Sequence, residues 1–450
     1  MNFYKMGKTF LRGGIHMRND GKSRTSGKPI ERFVPKEVTV PLAQHLGPAC
    51  IATVKRKDKV IRGDRIGEAP EGGVPIHAPV SGVVKRVALQ PHPILVEAEA
   101  VVIETDSTVA DPVWEETSDW KNLSKEEMIL RIRSAGIVGL GGATFPTYRK
   151  LQLPPGVSVD TLIINGAECE PYLTSDHRLM LEKPNEVIQG ALLLGKILEV
   201  QKILIGIEDN KPDVIEILKK FSSVEIGVCN TRYPQGSEKQ LIEALTGRVV
   251  PPRKLPMHVG VMVQNVATAA ACFEAISLRK PLLDRIITLS GSGIVDPKNL
   301  LVPIGTLVSD LIECCGGIYK DTVKVVAGGP MMGRALGRLD VPIIKGTGGL
   351  IFLRGREARS EIYGPCISCG SCLDACPLGL EPNQISIFTE AGRALETEMY
   401  GTKECFECGC CAAVCPAERP LVQFIQMSKM AFQTGTALGL AVRPGVTHGR

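Results

Sequence analysis

The chain has 450 residues, 44% of them hydrophobic and only 4% aromatic, with 53 Lys and Arg against 48 Asp and Glu for a net charge of +5. That length suits about three domains with ordinary cores, and a modest charge with few aromatics and no recognisable nucleic-acid module argues against RNA or DNA as a partner. The first residues lack the apolar stretch of a secretory signal, and nowhere do about 18 apolar residues follow one another to span a bilayer. The chain is therefore expected in the cytosol, or on a membrane through its partners. Fifteen cysteines in that compartment suggest thiolate ligands and reduced thiols, not a disulfide framework.

Residues 1–36 concentrate Lys5, Lys8, Arg12, Arg18, Lys22, Arg24, Lys28, Arg32 and Lys36 against Asp20 and Glu31. The expectation is a basic, solvated arm, or one that docks on an acidic protein or an anionic lipid surface. Residues 37–110 alternate short β-branched runs with Gly and Pro turns, which predicts a small all-β unit. Its stretch Ala78–Val84 resembles the hairpin of barrel-sandwich domains related to lipoyl carriers. A working carrier presents a lysine at the tip; here Ser81 and Gly82 stand there, so the module is read as structural.

An α/β domain with a largely parallel sheet is expected over 120–280. Ser124 starts a helix, and strands at 161–168, 202–209 and 223–230 are separated by helical stretches. The loop Gly139-Leu140-Gly141-Gly142-Ala143-Thr144-Phe145-Pro146 lets the main chain approach an anion, or is a tight connection. It is not the dinucleotide fingerprint, because Thr144 occupies the last glycine position. About 20 residues on, a strand runs into Asn165-Gly166-Ala167-Glu168-Cys169-Glu170-Pro171, where open α/β sheets bind ligands. These groups could hydrogen-bond a flavin ring or a ribose, or form an exposed turn. Residues 284–340 look like a soluble-ligand-binding β-grasp module (SLBB).

The segment 355–432 carries two runs of C-x2-C-x2-C-x3-C-P, the bacterial ferredoxin spacing for [4Fe-4S] cubes. The fourth cysteine of each run ligates the other cluster. One cube is thus assigned Cys366, Cys369, Cys372 and Cys415, and the other Cys405, Cys408, Cys411 and Cys376. Cys410 is off the spacing, and Cys50, Cys229, Cys272, Cys314 and Cys315 are expected as buried small side chains. The stretches between and after the runs read as helices, and a tail occupies 433–450.

On these motifs, with Gly13-Gly14-Ile15-His16 and Lys28-Pro29-Ile30-Glu31, the chain resembles the RnfC family and, more distantly, the flavoprotein subunit of complex I. RnfC proteins are the peripheral NADH-binding subunits of Rnf ferredoxin:NAD oxidoreductases. The resemblance implies that Gly139, Gly141, Gly142, Ala143, Phe145 and Lys150 surround FMN, with Asn165, Glu168 and Cys169 beside it and Glu170 facing NAD(H). Looser matches add Tyr233, Gly236, Ser237 and Glu238, then Gln264 and Asn265. Ala167, Cys169, Ser237 and Gln264 depart from the complex I pattern.

It further implies an oxidoreductase subunit of an ion-translocating complex, peripheral on the cytoplasmic side of a prokaryotic membrane, partnered by other Rnf subunits and indirectly by ferredoxin. Hydride exchanged with NAD(H) at FMN would leave as single electrons through two [4Fe-4S] clusters. Net flow from ferredoxin to NAD would drive Na+ or H+ transport. The rivals are a corrinoid reductase of the same superfamily, in which the flavin domain would come first, and a cluster-bearing adaptor with a vestigial flavin pocket.

Overall fold

The computed structural model describes residues 8–17, 19–117, 119–358 and 362–435. Lys5, Arg18 and most of the tail at 433–450 lie outside them. The chain divides into two compact units: Met1–Phe10, Met17–Thr231 and Gln235–Ala358 form the first, and Leu11–His16, Arg232–Pro234 and Arg359–Arg450 the second.

The first unit opens with β1 (Ile30–Arg32) and a sandwich of β2 (Glu37–Pro41), β3 (Ile51–Ala52), β4 (Lys59–Val60), β5 (Arg65–Glu68), β6 (Ile76–His77), β7 (Gly82–His92) and β8 (Val96–Thr105). Its sheets run β2-β8-β7-β4 and β3-β5-β6. Alternate residues point inward along each strand, so Val38 and Val40 meet Val101 and Ile103 with no side chain exposed. Ser81 and Gly82 are not a presented tip. Ser81 is 3% exposed and its hydroxyl accepts from the Arg62 N–H at 3.0 Å. A Cβ on Gly82 would meet the Glu104 carbonyl oxygen at 1.9 Å.

Next come α1 (Lys125–Ser134), α2 (Thr147–Leu151), β9 (Thr161–Asn165), α3 (Ser175–Glu182), α4 (Pro184–Leu198), β10 (Lys202–Glu208), α5 (Pro212–Leu218), β11 (Glu225–Cys229), α6 (Glu238–Thr246), β12 (Val261–Asn265) and α7 (Val266–Ser277). Ser124 and Glu127 cap α1 reciprocally, two otherwise orphaned N–H groups being satisfied at once. The sheet β11-β10-β9-β12 is parallel throughout. Helices cover both faces, so its strands are continuously apolar. Leu162 and Ile164 face the core that α4 and α7 share, and Ile163 faces α6. The strand β12 was not anticipated, although Val261-Met262-Val263 is a short apolar run of the right kind.

The unit ends with β13 (Asp284–Ser290), β14 (Lys298–Pro303), α8 (Val308–Cys314), β15 (Thr322–Ala327), β16 (Arg334–Ala335) and β17 (Gly349–Arg354). The sheet β1-β14-β13-β17-β15-β16 draws β1 and β17 from outside 284–340. The basic N-terminal stretch is therefore not a solvated arm in its described part: β1 is a strand, Lys22 is 8% exposed, Arg24 donates to the Gly291 carbonyl, and Lys28 donates to Asp296 at 2.8 Å. Of these cations only Lys22 is taken out of water; Lys28 pairs while its side chain stays 41% exposed.

In the second unit, α9 (Ser371–Ala375), α10 (Pro382–Glu390), α11 (Cys410–Ala413) and α12 (Leu421–Thr434) carry the cysteine runs. The helix expected between the runs stops at Glu390 and resumes as a 3-10 stretch, Ala394–Tyr400. Gly392, with φ 76°, supplies the left-handed residue that ends a helix. Among the described residues, no helix is long and apolar enough to cross a membrane.

Candidate flavin and cluster sites

In the parallel sheet, β10 and β11 lie to one side of β9 and β12 to the other. The chain order reverses between β9 and β12, and such switch points are where open α/β sheets hold ligands, outside the carboxyl ends of the strands. Asn165 and Asn265 are register partners there. A Cβ on Gly141 would stand 3.5 Å from the Asn265 Cβ, which brings the glycine loop to the same place.

The loop is closed on itself. Gly139 N–H donates to the Phe145 carbonyl at 2.9 Å and its own carbonyl accepts from Thr144 N–H at 3.1 Å; Leu140 N–H donates to the Thr268 hydroxyl at 2.9 Å. Gly141, Gly142 and Ala143 are exposed. Gly142 has φ 105°, and nothing lies within 4 Å of the position a Cβ would take. Arg149 sits over the Phe145 ring at 5.5 Å.

Several expected residues gather around it. Lys150 donates to Glu238 Oε1 and to the Val263 carbonyl, both at 2.7 Å. Asn165 Nδ2 donates to the Gly236 carbonyl at 2.7 Å, and Cys169 Sγ would lie 3.1 Å from a Cβ on Gly236. Ser237 is the residue before α6. Asn265 caps α7 and donates to Asp176 Oδ2 at 2.7 Å. Gln264 is 4% exposed, and its Nε2 has no partner among the described residues. An exposed glycine face with open space above it fits a phosphate-bearing flavin.

Three of the expected residues are engaged by other groups of the protein. The Glu168 carboxylate caps α3, accepting from Ser175 Oγ at 3.2 Å, Asp176 N–H at 2.7 Å and His177 N–H at 3.0 Å. The Glu170 carboxylate accepts from Met331 and Met332 N–H at 3.1 and 2.8 Å. Tyr233 belongs to the second unit, where its hydroxyl donates to the Cys408 carbonyl at 2.7 Å. The two carboxylates, beside a helix N-terminus and a turn, are claimed by the backbone donors there, which motif matching does not register.

The site also holds charges that sequence reasoning missed. Lys211, 1% exposed, donates to the Ala167 carbonyl at 2.6 Å. Arg285, 4% exposed, donates to the Leu140 carbonyl at 3.1 Å, with its pKa lowered to about 10 by desolvation. Asp176 is pushed up by desolvation and then by Glu168. Arg285 comes from β13, in another module, so no local signal could announce it.

Desolvation raises Glu170 from 4.5 to about 7. An acid with a raised folded pKa contributes stability below its unfolded value and loses it as pH climbs through the folded one. The first unit should therefore weaken between about pH 4.5 and pH 7, by at most about 3 kcal/mol from this group. Glu170→Gln should shrink the fall in urea midpoint between these pH values; an undiminished fall would assign it elsewhere, Asp176 being the next candidate.

In the second unit, Cys366, Cys369, Cys372 and Cys415 line one cavity, with Gly370 and Asn383. Cys372 has Cys415 and Cys366 as neighbours. Cys376 instead neighbours Cys408, and Cys405 and Cys411 both neighbour Cys376 and Cys408. The two loops share one backbone pattern: Ser368 and Gly370 at φ 55° and 79°, Glu407 and Gly409 at 62° and 82°. Left-handed residues at matching positions coil each run so that its sulfurs turn to one side. Four cysteines lining one cavity is the arrangement in which thiolates hold a cube. N–H groups of Leu380 and Glu407 donate to Cys376 and Cys405 sulfurs, each at 3.3 Å, the kind of bond that tunes a cluster's potential. Cys369 is exposed, whereas Cys376, Cys408 and Cys411 are buried, so the two sites differ in solvent access. Cys50, Cys229, Cys272 and Cys315 are buried as expected, and Cys314 is half-buried. Cys410 is fully buried.

Residues 9–108 match the RnfC barrel sandwich hybrid domain, 132–274 the Nuo51 FMN-binding domain, 286–335 the SLBB domain and 365–418 a 4Fe-4S dicluster domain. A relative from Clostridium ljungdahlii, the RnfC-type member of a proton-translocating ferredoxin:NAD(+) oxidoreductase complex, is 44% identical over 93% of this chain and 93% of its own length. The chain belongs to the RnfC family. The corresponding member of the Na(+)-translocating complex of Acetobacterium woodii is 41% identical over 93% and 96%. An RnfC-family relative from Rhodobacter capsulatus, part of an ion-translocating oxidoreductase complex, is 39% identical over 95% and 84%. The order of modules, sandwich before flavin domain, is the one that distinguishes RnfC from the corrinoid-reductase reading.

Proposed function

We propose that this RnfC-family chain is the NAD(H)-oxidising or NAD-reducing subunit of an ion-translocating ferredoxin:NAD+ oxidoreductase, joined to partner subunits at a membrane as a peripheral protein. The observation that carries this reading is one chain holding both a glycine loop at a sheet switch point and a cavity lined by cysteines of two ferredoxin-type runs. FMN, when bound, takes two electrons as hydride and gives them up singly, as a [4Fe-4S] cube requires.

The chain's own tasks are binding, orientation and exclusion of water. Gly139, Gly141 and Gly142 let main-chain N–H groups reach an anion, with Ala143 and Phe145 closing that side. Lys150 with Glu238, and Asn165, Cys169, Gly236, Ser237, Gln264 and Asn265, supply the polar walls. No general base is needed for hydride transfer. The cytoplasmic face is the proposed location, since NADH and ferredoxin are found there. Domain limits follow the modules: 37–110, 120–280, 284–340 and 355–432.

The test is anaerobic reconstitution of the full chain with iron, sulfide and FMN, followed by NADH. Bleaching of flavin and cluster absorbance is expected, and its absence at full cofactor occupancy would sink the reading. FMN missing from a native, cluster-replete preparation would favour the adaptor instead.

A further inference from the structure

The basic N-terminal stretch, first read as a solvated arm, contains a lysine that reaches into the flavin domain. Lys22 Nζ donates to the carbonyls of Glu168, Glu170 and Leu173 at 2.8, 2.8 and 2.5 Å. These three bonds use every proton an ammonium has. Lys211 takes the Ala167 carbonyl of the same loop at 2.6 Å. Two buried cations thus draw the carbonyls of the segment after β9 inward. The amide N–H groups of Glu168, Cys169 and Glu170 find no acceptor among the described residues.

The clasp extends to Lys22's neighbours. Tyr172 N–H donates to the Asp20 carbonyl at 2.6 Å. Gly21, at φ 67°, lies so close to the Tyr172 ring that a Cβ would come within 2.3 Å of it. Glu168 and Tyr172 are both left-handed, at φ 45° and 66°. Two such non-glycine residues cost free energy that surrounding bonds must offset, and the lysine's three bonds do so where the strain lies.

We propose that Lys22 is a positioning residue of the flavin site: by clasping the 168–173 carbonyls it turns the loop's amides toward the bound flavin and balances the acidic groups behind them. This rests on the flavin reading above. Burial lowers the Lys22 pKa, while Glu168, Glu208 and Asp20 act against that and hold the proton; without the ammonium these carboxylates lose a compensating cation. Electrons added to a bound flavin would then meet a more negative site, so the reduced form should be held less well than the oxidised one.

The experiment compares full-length, anaerobically reconstituted chain with Lys22→Met and Lys22→Arg, reading FMN affinity, flavin midpoint potential and iron content. Lys22→Met should keep its iron, bind FMN at least tenfold more weakly and lower the two-electron potential by about 30 mV, equivalent to a further tenfold preference against reduced flavin. Unchanged affinity and potential in a folded Lys22→Met chain would overturn the proposal. A weaker affinity with an unshifted potential would reduce Lys22 to a structural tie and overturn it too. If Lys22→Met does not fold, Lys22→Arg decides, because a planar fork cannot serve three carbonyls converging on one point and would misdirect the loop's amides: weaker FMN binding together with a lowered potential supports the proposal, and an unchanged value of either overturns it. An unaltered chain that takes up no FMN, or whose flavin NADH cannot reduce, fails the functional reading itself, a result distinct from either.

Discussion

Cys376→Ser should cost the chain the cluster of the second cysteine run and leave the cluster of its own run intact. Iron should fall from about eight to about four atoms per chain, with acid-labile sulfide falling in step. The reason is placement. Cys376 lies beside Cys408, and within reach of Cys405 and Cys411, while Cys366, Cys369 and Cys372 share their cavity with Cys415. A cube left with three thiolates exposes an iron to exchange and is lost. Pairwise substitution separates this arrangement from two self-contained runs by non-additivity. Cys376→Ser combined with Cys405→Ser should lose no more iron than either alone, whereas Cys376→Ser with Cys366→Ser should empty both sites. The reverse pattern would mean that each run holds its own cube.

Gly142→Val should abolish most FMN binding while leaving the clusters in place. At φ 105° an L residue is strained by about 1–3 kcal/mol, a cost that an exposed loop tolerates without unfolding the domain. The space a side chain would enter is open, with no protein atom within 4 Å, so the added side chain clashes with no other group of the protein. What it blocks is the close approach of an anion to the loop's amides. The expected result is a tenfold or greater loss of FMN affinity by fluorescence titration, with unchanged iron and nearly unchanged thermal midpoint. Full FMN retention would move the phosphate away from this loop. A contrasting position is Gly190, where a Cβ would stand 2.0 Å from the Ala269 carbonyl oxygen; there the glycine serves helix packing alone.

Local patterns were legible where the chemistry is local. The C-x2-C-x2-C-x3-C-P spacing, the Ser124 cap, the apolar strand at Thr161–Asn165 and the glycine loop each follow from residues a few positions apart. The N-terminal stretch was misread because charge along a sequence suggests solvent, while the fate of Lys22 depends on carbonyls some 150 positions away. Glu168 and Glu170 were expected beside cofactor and nucleotide on the strength of a motif. Their carboxylates went to N–H groups of α3 and of Met331 and Met332, since unpaired main-chain donors near a helix start or a tight turn compete for any carboxylate in reach.

The amino-acid sequence by itself determined the modules, their order, the two ferredoxin-type cysteine runs and the glycine loop, because each is written in short-range spacing and residue type. Only the tertiary structure decided that β12 lies on the far side of β9 and so opens a switch point, that Arg285 arrives from another module, and that Lys22 and Lys211 share one loop between them. Such pairings are set by which buried charges and main-chain carbonyls the folded chain brings together, and desolvation, which makes them strong, exists only once the fold has closed.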